Sequence, residues 1–204
     1  MFQDLALSGG LNMYFPLVSQ RIPQPDIRLQ GVTTLTTVLN ALAIDPGHVW
    51  KWPWRWFAES MVFPEALYKP LNLELFSEIA RRHKAVADTV FAIRDEEQGS
   101  LDNLRSTIMA KQHSPELSFT VAAYKRQTLE GRGGAMDLSG NSVNFSMVGG
   151  YHKSKDALLL IDVHPPGVSP IWVPAPFLHS AMEKCDPGTT GGWVSLSKRV
   201  PSLS

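Results

Sequence analysis

The chain has 204 residues, which fits a single domain and is long enough to bury a full core. Apolar residues make up 44% and charged residues 19% with a formal net charge of zero, so no general field draws a polyanion or a membrane surface. A single cysteine, Cys185, excludes an intramolecular disulfide and any multi-cysteine metal site.

No apolar run approaches the roughly 20 residues needed to cross a bilayer. The N-terminal MFQDLALSGG lacks a basic stretch followed by an apolar one. The expectation is a cytoplasmic chain with neither nucleic acid nor membrane as partner.

In chain order, a short amphipathic piece carrying Phe2, Leu5 and Leu7 is broken by Gly9-Gly10, and Tyr14, Phe15, Leu17 and Val18 form an apolar patch. Pro23 and Pro25 bracket Gln24 and keep that loop extended, because the residue before a proline is pushed out of the helical region. Val32, Leu35, Leu39 and Leu42 recur at helical spacing and predict one buried face, with Asp45-Pro46-Gly47 supplying the stop. Trp50, Trp52, Trp54, Trp56 and Phe57 follow, with Pro53 among them arguing against a central strand. The block anchors the core as aromatics do, or one or two rings wall a ligand pocket. The candidate pocket aromatics are Trp52, Trp54, Trp56 and Tyr151.

A second helix is expected from Pro70, through Leu75 and Ile79, to the basic Arg81-Arg82-His83. Ser100 is an N-cap candidate for a helix over Leu101–Lys111. Strands are predicted over Leu117–Tyr124, Val143–Tyr151, Ala157–Val163 and Gly192–Ser197, with a glycine-rich loop over Glu130–Ser142. Helices first and strands second predict an α+β fold, a helical lobe over about 1–115 packed on an antiparallel sheet over about 116–204, within one domain.

Two blocks then carry a resemblance. TTVLNALAIDPGHVWKWPWRWFAESM (36–61) and NFSMVGGYHKSKDALLLIDV (144–163), followed by Ile171-Trp172-Val173-Pro174, resemble phytochelatin synthases. Those are papain-like enzymes that use glutathione as a γ-glutamylcysteinyl donor. The resemblance implies a papain-like fold and four chemical parts. A thiolate sits at a helix N-terminus, where the dipole and an imidazole lower its pKa. A histidine moves the proton, an aspartate orients it, and a glutamine donates to the oxyanion. Carried over residue by residue, the oxyanion glutamine matches Gln24 and the aspartate matches Asp162. The cysteine falls on Gln30 and the histidine on Asn144.

Neither replacement can do the work. A carboxamide has no ionisable proton near neutral pH, and loss of a nucleophile or a base costs about 10⁶-fold in a well-studied protease. The chain also departs from the family elsewhere. No basic residue follows Asp162, where the sequence runs VHPPG, and Trp52 stands in KWPW where the family has KGPW. With a single cysteine in these 204 residues, the cysteine-rich metal sensing that the resemblance associates with plant members is not expected.

Among possible substitutes, His164 is the best acid/base candidate, because two residues past Asp162 on a strand it shares a face with it. His152 reads as structural and Cys185 as incidental. No His pair has zinc-ligand spacing, so neither metal nor cofactor is expected.

Two outcomes remain for Gln24, Gln30, Asn144 and Asp162. The amides bond one another and Asp162 and seal the old site, or they bind a small molecule bearing carbonyl or amide groups. The functional expectation is a pseudoenzyme that binds such a ligand. The alternative is a repurposed enzyme without a covalent intermediate, such as a cyclase or isomerase. Self-association is left open.

Overall fold

The computed structural model describes residues 1–47, 55–69, 71–93, 97–126, 143–185 and 191–199. Within these, six strands form one antiparallel sheet in the order β1-β6-β2-β3-β4-β5. They are β1 Ala85–Phe91, β2 Ser118–Tyr124, β3 Asn144–His152, β4 Ala157–Ile161, β5 Ile171–Pro174 and β6 Gly192–Lys198. The α-helices are α1 Phe2–Leu7, α2 Tyr14–Gln20, α3 Gln30–Ala41, α4 Glu59–Val62, α5 Leu73–Arg82, α6 Leu101–Gln112 and α7 Ala175–Glu183. None of them is long and apolar enough to cross a membrane.

Every residue of β2 and β3 is buried. The sheet is therefore covered on both faces at its centre, and α2, α3 and α6 pack on β3 while α6 and α7 pack on β2. The fold is α+β, as the order of elements predicts. That order holds only in outline, since β1 lies among the early helices and α7 among the late strands.

Helix α3 is the centre of the helical half. Its apolar spacing predicts one buried face, but Gln30 through Leu39 are all buried. Three back-bonded threonines help make this possible. Thr33, Thr36 and Thr37 donate to the carbonyls of Leu29, Val32 and Thr33 at 2.8–2.9 Å, so their hydroxyls are satisfied within the helix. The helix also stops earlier than the Asp-Pro-Gly turn. It ends at Ala41, and Ala43 takes a left-handed φ of 50°. The turn itself forms at Asp45, whose carboxylate accepts from the Gly47 amide at 2.8 Å. Beyond it, Asn40 holds Phe57 by a two-way amide bond, Phe57 N–H to Oδ1 at 2.8 Å and Nδ2 to the Phe57 carbonyl at 3.1 Å.

Other boundaries shift for local reasons. Helix α5 starts from Asn72, whose side chain caps the Leu75 amide at 2.8 Å; Pro70 lies outside the described residues. Ser100 does cap α6, accepting from the Asn103 amide. Arg105 of α6 bonds Asp156 in the β3–β4 turn, Nε to Oδ1 at 2.9 Å, and Tyr151 donates to the same carboxylate at 2.8 Å. The Arg105 guanidinium holds the Asp156 carboxyl below the usual carboxylate range. These contacts fix the far end of β3 against α6.

Candidate functional site

Gln30, Asn144 and Asp162, three of the candidate site residues, gather where β4 leaves β3. Their pairing ends at Met147 with Ile161, so beyond that point Phe145 has no partner strand on the β4 side. Gln30, at the first position of α3, fills the place. Its Oε1 accepts from the Phe145 amide at 3.1 Å and its Nε2 donates to the Phe145 carbonyl, to which Thr34 Oγ1 also donates at 3.2 Å. The carboxamide thus acts as a peptide group inserted into the ladder. Packing fixes the register: the Phe145 ring stacks on Phe76 of α5 at 4.8 Å, and a Cβ on Gly31 would stand 3.1 Å from that ring. Gln30 is 3% exposed.

Asn144 stands opposite Tyr124 across β2 and β3. Its Nδ2 donates to the Tyr124 hydroxyl at 2.9 Å and to Ser146 Oγ at 3.0 Å. Ser146 donates in turn to Asp162 Oδ1, and the Tyr124 hydroxyl lies 2.8 Å from Ser146 Oγ. With the serine proton committed to the carboxylate, the tyrosine is the donor of that pair. Arg126 closes the group, with Nη1 3.4 Å from Asn144 Oδ1 and Nη2 3.7 Å from Asp162 Oδ2. Burial pushes the Asp162 carboxyl above its ordinary value, against the opposing pull of Ser146 and Arg126. Burial likewise pushes the Tyr124 phenol up.

Gln24 is joined to this region through its backbone, its amide donating to the Val163 carbonyl at 2.9 Å. Its side chain turns the other way. Nε2 donates to Thr33 Oγ1 at 3.0 Å and to Glu59 Oε1 at 2.8 Å, and Oε1 accepts from the Asp26 amide at 2.9 Å. Both amide protons are thereby engaged, and no donor is left over for an oxyanion.

His164 departs from its expected place. The shared-face argument needs a regular strand through residue 164, but β4 ends at Ile161. The ring instead meets the Gln24 carbonyl, Nδ1 at 2.9 Å. Of the aromatic candidates, only Trp56 and Tyr151 are among the described residues. Trp52 and Trp54 lie outside the described residues, and Trp56 is 43% exposed. Tyr151 is at the opposite end of β3, seven residues from Asn144, or about 23 Å at the usual rise per residue. His152 is there too, edge-on to Trp172, and Cys185 follows α7, its Sγ 3.8 Å from the Ala181 carbonyl. Among the described residues, no group of three or more His, Cys, Asp or Glu side chains is placed to hold a metal ion.

Four participants escape the sequence reading. Tyr124 and Ser146 sit on predicted strands, and cross-strand register would have singled them out, but register is not written in either strand alone. Glu59 lies in the resembling 36–61 block without any pattern of its own. Arg126 supplies a cation at Asp162 from β2's far end, whereas the expectation looked for one only just after Asp162.

A solved structure, the peptidase domain of Streptococcus ComA, a bi-functional ABC transporter involved in quorum sensing, matches this fold. The likeness covers 88% of this chain and 98% of that chain with a TM-score of 0.50 at 13% identity, and it concerns the papain-like fold alone. In sequence, the chain is 32% identical over 212 residues to glutathione gamma-glutamylcysteinyltransferase 3 of Lotus japonicus, covering 100% of this chain and 42% of that one. It is 31% identical over 210 residues to glutathione gamma-glutamylcysteinyltransferase 2 of Arabidopsis thaliana, covering 100% and 44%. It is 28% identical over 201 residues to glutathione gamma-glutamylcysteinyltransferase of Schizosaccharomyces pombe, covering 92% and 44%. The chain therefore spans less than half the length of these relatives. The family model described as phytochelatin synthase matches residues 1–193, and the chain belongs to the phytochelatin synthase family.

Proposed function

We propose that this chain is a non-catalytic member of its family, a pseudoenzyme that has lost thiol transpeptidase chemistry. One observation carries the reading: the Gln30 carboxamide, standing at the nucleophile's place, is bonded on both sides to the Phe145 backbone. A group that completes a buried ladder is a structural brace. It has neither a proton to lose nor a free lone pair aimed at a substrate carbonyl. Asn144, at the imidazole's place, is tied into Tyr124 and Ser146 in the same manner. The engaged donors favour a closed brace over a cradle for a carbonyl-bearing ligand at this spot.

One feature favours a second reading, a non-covalent enzyme such as a cyclase or isomerase. The raised Asp162 carboxyl could hold a proton beside the Ser146 and Tyr124 hydroxyls. Its burial, with Ser146 and Arg126 already on its oxygens, weighs against access to a substrate.

The experiment is intact-protein mass spectrometry after incubation with glutathione. The chain should keep its mass, because the family's covalent step needs a thiolate at position 30. An acyl adduct on Cys185, the one thiol in the chain, would reveal a relocated nucleophile and overturn the proposal.

A further inference from the structure

The last turn of α6 and the start of β2 border a cavity of about 270 Å³. Lys111, Asn12, Glu116 and Ser118 line it, with Met13 and Leu117 as apolar wall. Ser118 opens β2 and Tyr124 closes it, so six residue steps, or about 20 Å, separate the cavity from the Asn144 cluster. Lys111 is half-buried, and among the described residues no hydrogen bond or ion pair engages its ammonium.

Cross-strand register shows what lies beneath that lysine. Asp88, Ser195 and Thr120 stand opposite one another across β1, β6 and β2, and Ser118 stands opposite Ser197, so all five share one face of the sheet. The Asp88 charge acts on Lys111, and Ser118 lines the same cavity, which puts the lysine over this face. The Thr120 hydroxyl is buried in it without a hydrogen-bond partner.

A cation is poorly compensated in this position. Burial lowers the Lys111 pKa, and the exposed Asp88, which makes no ion pair with it, only partly opposes that. A desolvated lysine presents its free amine at neutral pH more often than a solvated one, and the free amine is the nucleophile. Larger anionic acyl donors would meet Glu116 in the cavity wall. Carbon dioxide is small and uncharged, and its product is an anion whose oxygens take hydrogen bonds from hydroxyls.

We propose that Lys111 is a carbamylation site, its amine adding carbon dioxide in this cavity and the carbamate accepting from Ser118 and its neighbouring hydroxyls. The nitrogen lone pair forms the N–C bond, one C=O π pair moves onto oxygen, and a proton leaves the nitrogen for water. The step needs neither an oxidant nor a leaving group. The charged groups facing this nitrogen are Asp88 from β1 and Glu116 from the segment after α6, while β2 and β6 present hydroxyls there. The site is separate from the proposed pseudoenzyme centre and does not depend on that reading.

The test incubates the full chain with ¹³C-bicarbonate at mildly alkaline pH, traps carbamates by alkylation with triethyloxonium ion, and locates them by peptide mass spectrometry. The trapped fraction at Lys111 should exceed that at the exposed Lys153 and Lys155 by about tenfold, the ratio of free amine that one pKa unit gives. Asp88→Asn changes an exposed side chain and removes the charge that favours the ammonium and repels the carbamate, so it should raise the Lys111 yield severalfold. Ser118→Ala should lower it severalfold. The proposal is overturned if Lys111 traps no more than Lys153 and Lys155, or if Asp88→Asn leaves the Lys111 yield unchanged or lower.

Discussion

Gln30→Leu lowers the free energy of unfolding by about 2–3 kcal/mol, measured by urea denaturation at neutral pH. The substitution is close in volume and apolar, so a thermodynamic account based on packing alone would expect little change. The cost comes from Phe145. Its N–H loses its partner, and its carbonyl keeps only the Thr34 hydroxyl at 3.2 Å. An orphaned buried backbone group costs about 1–3 kcal/mol, because water cannot reach it to compensate. Hydrogen exchange should localise the loss, with the Phe145 amide exchanging faster in the variant. A change within about 0.5 kcal/mol, the usual span of surface substitutions, would mean that the Gln30 brace contributes nothing.

Restoring the family's residues does not restore its chemistry. Gln30→Cys with Asn144→His yields at most a trace of acyl-enzyme when the chain is given glutathione. The new thiol would sit at the N-terminus of α3, where the dipole favours a thiolate. Three features oppose it. Gln24 has both amide protons committed to Thr33 and Glu59, so the oxyanion lacks its donor. An imidazole at position 144 enters a cluster shaped around a carboxamide, between Tyr124, Ser146 and Arg126. The brace on Phe145 is lost as well, which loosens the segment carrying the new base. A misplacement of about 1 Å costs about a hundredfold in rate. Stoichiometric labelling of the cysteine would show that the cleft still receives the donor and that only two side chains separate this chain from activity.

The parts of this site that could be read from sequence are those carried by the family's spacing. The family itself is legible, because blocks 36–61 and 144–163 run in its order, and Gln24, Gln30, Asn144 and Asp162 are the positions that resemblance points to. What those side chains bond to was not legible. One of the two expected outcomes has Gln30 and Asn144 bonding each other and Asp162. Gln30 instead bonds the backbone of the residue after Asn144, and Asn144 bonds Ser146, which also bonds Asp162. The difference lies in β4, which leaves the ladder after Ile161 and exposes Phe145. No residue pattern marks that departure, and the strand was expected to run on to Val163. The same shortening undid the argument for His164. In the fold, the strands at the sheet centre are apolar runs and were recognisable. β1 was missed because it is an edge strand with mixed burial and shows no alternation. β5 carries little strand signal of its own, being four residues that end in a proline. Helix α3 looked one-sided because threonine counts as polar in a pattern, although back-bonded threonines are readily buried.

The central claim is that the altered triad performs no glutathione chemistry. Its most direct test is mass-spectrometric analysis of products after prolonged incubation of the unaltered chain with millimolar glutathione, with and without cadmium or zinc, beside an active relative as control. The account predicts no glycine above the protein-free blank and no oligomers of γ-glutamylcysteine under either condition. Glycine release that scales with the concentration of the chain, or oligomers of any length, would contradict it.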